Sequence, residues 1–572
     1  MKEKRIGVFV CHCGLNIAGT VDVEEVTEQI KSYPGVAHAE HYIYMCSDPG
    51  QELVRKAIRE KALDGIVISS CSPSLHERTF RNLVASEGMN PFYCEIANIR
   101  EQCSWPHYSD KSTATKKAVV IIKAVIEKLR RNISLVPMVV PLTKRALVIG
   151  AGIAGMRAAL DIADGGYEVV LVEKSPAIGG HVTQLSGTFP TLEDVPSLVA
   201  PVMAKVASHP RIRLYTYSEI DNVSGYVGNF RVSIRQEAIL VEEQVGAVIV
   251  ATGYELYPRD GIGEYASDPD VLDGLQFERL LSPSGPTAGE IRRPSDGKVP
   301  KQVVFIQCVG SRDPEHGVPY CSRVCCMYTA KQAMLYKQAV PDGQAYIFYM
   351  DIRSDAKGYE EFVKKVVDEQ RVLYLRGRVS KVFREGEKLR VWGADTLTGK
   401  SIEISADLVV LATAMVPSPT VRELARKLNI IVDAHGFVSE AHIKLRPVET
   451  LTAGIYLAGT AQWPRDIPDT VSSASGAASK ILSLFSRKEL LHEPTIATVD
   501  SEVCAGCGQC VAICAYKAIE LDPKKRVARV NEALCEGCGA CVVACPSKAM
   551  RHKNWTPKQF FEMIDVGISE YV

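Results

Sequence analysis

The sequence predicts a multidomain α/β protein: an N-terminal α/β domain, a central domain of two dinucleotide-binding halves and a small C-terminal α+β domain. Three observations carry this prediction. Short apolar strands alternate with helical patterns over residues 1–130. A strand that runs into Gly150-Ala-Gly152-Ile-Ala-Gly155 opens the central part. Two cysteine runs of identical spacing occupy the C-terminal part.

Composition excludes several classes of function. Lys+Arg and Asp+Glu both number 67 in a chain of 572 residues, so no basic field is present to attract nucleic acid or anionic lipid. The apolar stretch near the start is too short for a signal peptide, and no run approaches the roughly 18 apolar residues of a membrane span. The 18 cysteines favour a reducing compartment over a disulfide framework. We therefore expect a cytoplasmic protein of about three to five domains without a membrane span.

The N-terminal pattern predicts strands at residues 5–10, 42–45 and 65–69, with helices at 24–32, 51–60 and 115–130. Its cysteines follow the strands, at the sheet edge where sites assemble in parallel sheets. One [4Fe-4S] cluster is predicted there, held by Cys46, Cys71, Cys103 and one of Cys11 or Cys13. The alternative is buried free thiols, since cysteine is common in protein cores. Cys94 is assigned to the core.

The central turn has the context that a dinucleotide site requires. Gly150 permits a tight turn, Gly152 lets the backbone approach a pyrophosphate, and Gly155 allows close packing of helix on strand. The next strand ends at Glu173, where the acceptor for a ribose hydroxyl belongs. The pyrophosphate would lie at the helix N-terminus.

Later segments favour FAD over NAD at this turn. The Gly179-Gly180-His181 element, the strand at residues 248–253 and the strand at residues 454–459 resemble, in this order, the elements that complete the FAD site of two-dinucleotide-binding flavoproteins. The candidate FAD-binding residues are Gly150, Gly152, Ile153, Ala154, Gly155, Glu173, Lys174, Gly179, Gly180, His181, Ala251, Thr252, Gly253, Gly459, Thr460 and Ile467.

The second dinucleotide half begins with the strand at residues 303–309, but no GxGxxG follows it. Direct reduction by a pyridine nucleotide is therefore not expected. Four cysteines occupy this place instead, Cys308, Cys321, Cys325 and Cys326. Because adjacent cysteines are rarely both inert core residues, they favour an iron–sulfur cluster beside the flavin.

The C-terminal runs are Cys504-x2-Cys507-x2-Cys510-x3-Cys514 and Cys535-x2-Cys538-x2-Cys541-x3-Cys545-Pro546. This doubled spacing is typical of a ferredoxin with two [4Fe-4S] clusters rather than of zinc sites or disulfides. In that geometry the fourth cysteine of each run binds the other cluster. Cys504, Cys507, Cys510 and Cys545 would hold one cluster, and Cys535, Cys538, Cys541 and Cys514 the second.

Nearly the whole chain resembles the A-type subunit of heterodisulfide reductase, a family of methanogens and other anaerobes. The resemblance rests on specific motifs: CHCGLNIAG, YMCSDPGQ, CSPSLHERTF, NIREQCSW, GGHVTQLSGTFPTL, AGTAQWPRDIPDTV and the cysteine patterns above. It implies a thioredoxin-reductase-like FAD domain in an oxidoreductase subunit, with a role in flavin-based electron bifurcation or confurcation. It also implies that Cys308, Cys321, Cys325 and Cys326 hold the cluster beside the flavin and that Lys331 approaches the flavin ring as the candidate catalytic residue.

The partners implied by the resemblance are disulfide-reducing subunits of B and C type, ferredoxin, and a donor such as a hydrogenase or formate dehydrogenase, around a homodimer of this chain. Long members of the family insert a second two-cluster ferredoxin between the halves of the FAD domain. Residues 232–248 contain no cysteine here. The expected total therefore falls to four clusters.

Because all the recognisable chemistry is redox chemistry, the leading hypothesis is an electron-transfer component of a heterodisulfide reductase-type complex. A non-bifurcating relay in a related thiol/disulfide or quinone-linked complex is the alternative. A self-sufficient flavin oxidoreductase and a non-enzymatic scaffold also stay open.

The cofactor motifs set the expected domain limits: 1–135, 142–490 for the FAD domain, 495–552 for the ferredoxin module and 553–572 for a C-terminal tail. The tail has apolar residues at helical spacing. We expect it to dock on a partner, with folding back onto the ferredoxin module as the alternative.

Overall fold

The structure, a computed structural model, describes residues 4–259 and 267–571. The chain forms two compact units, one of Met1–Val140 with Leu491–Val572 and one of Pro141–Leu490. Among the described residues, no helix combines the length and the apolar character needed to cross a membrane.

The N-terminal residues form a parallel sheet of order β2-β1-β3-β4. Strands β1 and β3 are buried along their whole length, as expected for a sheet covered on both faces. Helices α2 and α5 pack on one face, and α3 and α4 on the other. The elements are β1 (Ile6–Cys11), α1 (Leu15–Ala18), α2 (Val23–Lys31), β2 (Val36–Tyr42), α3 (Asp48–Lys61), β3 (Gly65–Ser70), α4 (Pro73–Ser86), β4 (Cys94–Asn98), α5 (Lys111–Arg130) and β5 (Met138–Val140).

The predicted strand at residues 42–45 is wrong. Strand β2 ends at Tyr42, and the apolar residues that follow it form a turn. This turn leads into α3, because Ser47 caps the helix and its hydroxyl also donates to Tyr44 O over 2.6 Å. The apolar character of this segment suggested a strand, but Ile43 and Tyr44 are half exposed.

The first half of the central unit is a parallel sheet of order β23-β12-β6-β7-β8 with an antiparallel sheet of order β11-β10-β9. A two-residue turn at residues 237–238 joins β10 to β11, since Gln236 pairs with Ile239. The elements up to this point are β6 (Arg145–Ile149), α6 (Ile153–Asp164), β7 (Glu168–Val172), α7 (Val195–Ser208), β8 (Ile212–Tyr215), β9 (Ser218–Tyr226), β10 (Asn229–Gln236), β11 (Ile239–Val245), β12 (Ala247–Val250) and β13 (Tyr254–Leu256).

The second half repeats this plan, with a parallel sheet of order β14-β21-β15-β16-β17 and an antiparallel sheet of order β18-β19-β20. Two dinucleotide-binding halves are therefore present, as predicted. The elements are β14 (Val271–Asp273), α8 (Gly274–Leu281), β15 (Gln302–Val309), α9 (Cys325–Ala339), β16 (Gln344–Tyr349), α10 (Tyr359–Asp368), β17 (Leu373–Arg376), β18 (Val379–Glu385), β19 (Lys388–Asp395), β20 (Lys400–Ala406), β21 (Leu408–Thr413), β22 (Met415–Pro417), α11 (Val421–Leu428), β23 (Ile455–Leu457), α12 (Ile467–Phe485) and β24 (Leu490–His492).

The C-terminal residues form two antiparallel strand pairs, β25 with β28 and β26 with β27, around two short helices of matching position. This is the α+β arrangement predicted for the cysteine runs. The elements are β25 (Ala497–Val499), α13 (Gln509–Ile513), β26 (Ile519–Leu521), β27 (Ala528–Val530), α14 (Ala540–Ala544), β28 (Met550–His552) and α15 (Pro557–Tyr571).

Helix α15 packs against α5, so one face of the tail is already covered within the chain. Gln559 is fully buried there and donates to Lys128 O over 3.1 Å and to Asn132 Oδ1 over 2.8 Å. Asn554 adds a reciprocal pair with the backbone of Ile133. The tail therefore folds onto the N-terminal sheet domain, which neither sequence-based alternative anticipated, while Phe561 on its other face stays exposed.

Replacing Gln559 with alanine should loosen the tail. The change removes two buried hydrogen bonds and leaves Asn132 Oδ1 without this donor, so we expect a loss of about 1–3 kcal/mol in the free energy that holds α15 on α5. Hydrogen exchange of α15 amides measures this loss. The neighbouring exposed Lys558, changed to alanine, is the control. Equal exchange in both variants would contradict the assigned role of Gln559.

Candidate cofactor sites

Three glycines shape the turn between β6 and α6. Gly150 has a φ of +99°, and a Cβ there would lie 2.4 Å from Ala251 O. Gly155 brings the helix against the turn, since its Cβ would lie 1.8 Å from Gly150 O. Gly152 differs, because nothing lies within 4 Å of the place its Cβ would take. The backbone at Gly152 therefore faces open space, as the approach of a pyrophosphate requires.

That space is part of a cavity of about 840 Å³, within the range of about 300–1,000 Å³ usual for ligand pockets. The predicted cofactor residues that line it are Gly150, Gly152, Ile153, Ala154, Glu173, Lys174, Gly179, Gly180, His181, Ala251, Thr252, Gly253, Thr460 and Ile467. Gly155 and Gly459 do not line it but hold its walls. Gly459 has a φ of +65° and donates its N–H to Ser473 Oγ over 2.9 Å.

Polar atoms without partners show that the cavity is built for a polar ligand. Among the described residues, Thr252 Oγ1, Thr413 Oγ1 and Gln332 Oε1 are buried and make no hydrogen bond. All three residues line the cavity. Buried polar atoms are normally satisfied, so a bound group with matching donors and acceptors is expected here. Together with the open cradle at Gly152, these atoms fit FAD.

Glu173, the predicted ribose acceptor, is buried at the end of β7. Its carboxylate accepts hydrogen bonds from Ala151 N at 2.7 Å and from Ser175 N at 2.9 Å. It therefore ties the glycine turn to the second strand while it lines the cavity. Each carboxylate oxygen keeps a further lone pair for a hydroxyl group.

Lys331, on α9, is buried and lines the same cavity. Its Nζ lies 2.6 Å from Glu278 Oε1 and donates to Gly187 O over 2.8 Å. Glu278 also accepts from Ser186 N at 2.9 Å, from Ser186 Oγ at 2.7 Å and from Gln332 Nε2 at 2.7 Å. Glu278 was not among the residues predicted from the sequence. The signal available was an acidic residue among the apolar residues of α8.

The four cysteines of the second half lie together at the end of β15 and the start of α9. A hydrogen bond from Cys325 lowers the pKa of Cys308, and another lowers the pKa of Cys326 to about 7. Cys321 accepts from Arg323 N over 3.3 Å. Cys308 has a φ of +60° at a point where the pairing of β15 shifts register, which turns the strand end toward the α9 cysteines. Such thiols are suited to bind metal as thiolates.

In the N-terminal domain, Cys11, Cys13, Cys46 and Cys71 gather at the carboxyl edge of the sheet, close enough for their charges to interact. Cys11 Sγ accepts from Cys13 N at 3.3 Å and from Met45 N at 3.4 Å. Arg100 donates to Cys13 Sγ over 3.3 Å. Hydrogen bonds of this kind favour the thiolate form.

Cys103 is oriented differently from these four. It is fully buried, and its thiol donates to Ala114 O of α5 over 3.0 Å. Burial raises the pKa of Cys103 to about 11. In this conformation Cys103 faces α5, so its predicted place in the ligand set requires rotation of its side chain. Cys94 is fully buried in the core, and burial raises the pKa of its thiol.

In the C-terminal module, Cys504, Cys507, Cys510 and Cys545 line one small cavity. Cys514 lies within electrostatic reach of Cys541, as do Cys535 and Cys538. The structure thus brings together two crossed sets of four. Backbone amides point at the sulfurs in both, from Ala528 to Cys504 over 3.4 Å and from Ala518 to Cys514 over 3.3 Å.

Among the described residues, no group of three or more His, Cys, Asp or Glu side chains is arranged to hold a single metal ion. In a cubane each cysteine binds a different iron, so its four ligands surround a larger body than one ion. Four separate thiolates around a small cavity are the donor set that such a cluster takes.

Comparison with known proteins agrees with this geometry. The model of an FAD binding domain matches residues 145–221, and that of a 4Fe-4S dicluster domain matches residues 503–549. The second A-type iron-sulfur subunit of CoB--CoM heterodisulfide reductase from Methanopyrus kandleri is 42% identical over 91% of this chain and 92% of its own. The chain belongs to the family of A-type heterodisulfide reductase subunits. It is an oxidoreductase subunit with FAD and iron–sulfur clusters.

Other members of this A-type family are similar over the same extent. The A-type subunit of the H(2):CoB-CoM heterodisulfide,ferredoxin reductase from Methanothermobacter marburgensis is 40% identical, over 91% of each chain. A protein of Archaeoglobus profundus, named as like the A-type subunit of heterodisulfide reductase, is 38% identical, also over 91% of each. The alignment with the M. kandleri subunit spans 603 residues, more than this chain contains. The relative therefore has residues where this family member has none.

Gly152→Ala should separate folding from FAD binding. The methyl group meets no protein atom, so the fold is retained, but it occupies the space where the backbone faces the ligand. We expect FAD per chain to fall about tenfold, which corresponds to about 1.4 kcal/mol. Absorbance of the purified protein measures the FAD content. Gly476→Ala in α12 is the control, since its Cβ makes only an ordinary contact at 3.6 Å. Full FAD content in Gly152→Ala would contradict the assignment.

Two serine variants should distinguish the N-terminal ligand sets. Cys71→Ser should lose about four irons per chain, whereas Cys103→Ser should keep them, because the Cys103 thiol is bonded to Ala114 O. Iron analysis after anaerobic purification measures both. Loss of iron in Cys103→Ser would instead support the set predicted from the sequence.

Proposed function

We propose that this heterodisulfide reductase subunit bifurcates or confurcates electrons between a partner donor, ferredoxin and a disulfide-reducing subunit. The observation that carries the proposal is helix α9. It begins with Cys325 and Cys326 and presents Lys331 to the FAD cavity. Five residues of helix rise about 7.5 Å, so the flavin cavity and a cysteine set are one short step apart.

The Lys331–Glu278 pair gives the cavity a charge that can respond to reduction. FAD, when bound, supplies the one-electron and two-electron steps that allow an electron pair to be divided. Lys331 holds its proton at Nζ between Glu278 and Gly187 O, in a buried region where charges interact strongly. Negative charge that develops in the cavity attracts this ammonium. The hydrogen bonds from Ser186 and Gln332 keep Glu278 satisfied as Lys331 shifts.

The second dinucleotide half supports entry of electrons through iron and sulfur rather than through a nicotinamide. The loop after β15 reads Gly310-Ser-Arg-Asp-Pro and lacks a GxGxxG turn. Four cysteines surround the same strand end. We propose four [4Fe-4S] clusters in all: two in the C-terminal module, one on the Cys308–Cys326 set and one on Cys11, Cys13, Cys46 and Cys71.

The partners proposed for this protein follow from its relatives. Their names mention hydrogen, formate and ferredoxin as reaction partners of CoB-CoM heterodisulfide reductases. For this chain we propose a hydrogenase-type, formate dehydrogenase-type or other donor subunit, ferredoxin, disulfide-reducing subunits of B and C type, and a homodimer at the centre of a cytoplasmic complex.

A non-bifurcating relay is the second candidate, and the β10–β11 hairpin favours it. The two-residue turn at residues 237–238 leaves no inserted domain at this point of the FAD domain. If the long members use an inserted ferredoxin as one outlet, this protein needs a partner in its place.

Measured potentials decide between the two candidates. The complex that contains this chain is purified without oxygen, and iron, FAD and the two one-electron potentials of FAD are determined. We expect about sixteen irons per FAD, from four clusters of four irons. Crossed potentials, with the second electron leaving at a much lower potential than the first, are expected for bifurcation. Potentials in the ordinary order would favour the relay.

Lys331→Gln should lower the two-electron midpoint potential of FAD, because negative charge gained on reduction loses its buried cation. A loss of 1.4 kcal/mol corresponds to about 30 mV for a two-electron couple. Spectroelectrochemical titration of the complex measures the shift. Lys331→Arg keeps the charge and serves as the control. The same potential in both variants would exclude this role for Lys331.

A further inference from the structure

The carboxyl edge of the N-terminal sheet exposes apolar side chains beside its cysteines. Each segment that follows a strand and carries a cysteine also carries at least one large exposed apolar residue: Leu15, Ile43, Tyr44, Leu75, Trp105 and Tyr108. Leu15 is 84% exposed and Tyr108 81% exposed. Isolated exposed apolar residues are ordinary, but a group of them around one site is typical of an interaction surface.

The same segments carry no charge. Residues 13–20, 42–47, 71–76 and 103–109 contain no Asp, Glu, Lys or Arg, although 23% of the chain is charged. We call these four segments the uncharged edge. Arg100 and Glu101 lie just before the fourth segment, but they pair with each other over 2.7 Å and are partly buried.

The four segments form one surface because they touch each other. Gly14 N donates to Ile43 O over 3.4 Å, which joins the first segment to the second. Ser104 Oγ donates to Asn16 O and joins the fourth segment to the first. Arg100 donates to Cys13 Sγ and stacks over the Trp105 ring at 4.7 Å. The cysteine set is thus enclosed by an apolar rim, and Cys13 and Cys46 remain partly exposed within it.

We propose that the uncharged edge is the docking surface for a redox protein whose own contact face is apolar and uncharged. The proposal rests on the proposed function, because it requires an electron-accepting group on the cysteine set. The exchange moves one electron, lost by the centre of the partner and gained at the cysteine site, with no bond made or broken.

Charge and residue type identify this occupant. An acidic ferredoxin or an anionic membrane would be held by Lys and Arg, and the uncharged edge has neither. Trp and Tyr are the residue types that dominate binding energy at protein interfaces, and charged residues are depleted at interface centres. A partner with a matching apolar face therefore fits, and its binding should depend little on salt.

A paired substitution tests the surface. Leu75→Lys with Tyr108→Lys places two charges on the uncharged edge, away from the cysteine set. Leu397→Lys, on the exposed turn between β19 and β20, is the matched control. The probe is the set of partner subunits that co-purify anaerobically with the wild-type chain, isolated and rebound to each variant. Binding is measured at about 50 mM and about 500 mM NaCl, which span strong and weak charge interactions.

We expect the double variant to bind these subunits about tenfold or more weakly, which is 1.4 kcal/mol or more. The wild type and the Leu397→Lys control should agree within about twofold at both salt concentrations. Iron and FAD per chain must match the wild type, which shows that the double variant is folded and loaded.

Three results would overturn the proposal. Unchanged affinity of the double variant would exclude this surface, and a steep loss of wild-type affinity at high salt would exclude an uncharged contact. A wild-type dimer that the double variant splits would show that the occupant is a second copy of this chain. Failure of the proposed function is distinguishable, since it appears as no electron flow through FAD in the wild-type complex, whatever the binding result.

Discussion

A parallel sheet places the carboxyl ends of its strands along one edge, and the sites outside the C-terminal module depend on this constraint. In the N-terminal domain the edge gathers cysteines that follow β1, β2 and β3. In the first central half it gathers the glycine turn after β6 and Glu173 after β7. In the second half the end of β15 carries Cys308 in place of a nucleotide turn. One backbone geometry therefore serves a flavin and two cysteine sets.

The repeat of one dinucleotide-binding plan explains how a cluster site comes to lie beside the flavin. The strand end that would face a nucleotide in the second half presents cysteines, and α9 carries the continuation of that site to the FAD cavity. The buried pair of Lys331 and Glu278 lies on this route, and each polar group bonded to the Glu278 carboxylate is a donor. The environment holds both charges and keeps the ammonium beside the cofactor.

The two ends of the chain belong to one compact unit, and buried polar side chains join them. Gln559 bonds to the last turn of α5 and to Asn132, and Lys128 pairs with Glu95 and lies 4.2 Å from the centre of the Trp555 ring. Satisfied networks of this kind fix one arrangement, because a partner left unpaired in the interior is costly. The ferredoxin module and the N-terminal cysteine set are thereby held in the same folded unit, which suits a chain that passes electrons between separate centres.

Sequence patterns alone were enough to predict the ferredoxin module, the glycine turn and the two dinucleotide halves. Their signals are local, since ligand spacing and turn chemistry are set by residues a few positions apart. Three-dimensional packing was needed to show that Cys103 faces α5 while Cys11 and Cys13 both face the site, that Glu278 is the partner of Lys331, and that α15 packs on α5. It also moved the second strand to Val36–Tyr42. These features depend on contacts between residues far apart in the chain, which local periodicity does not specify.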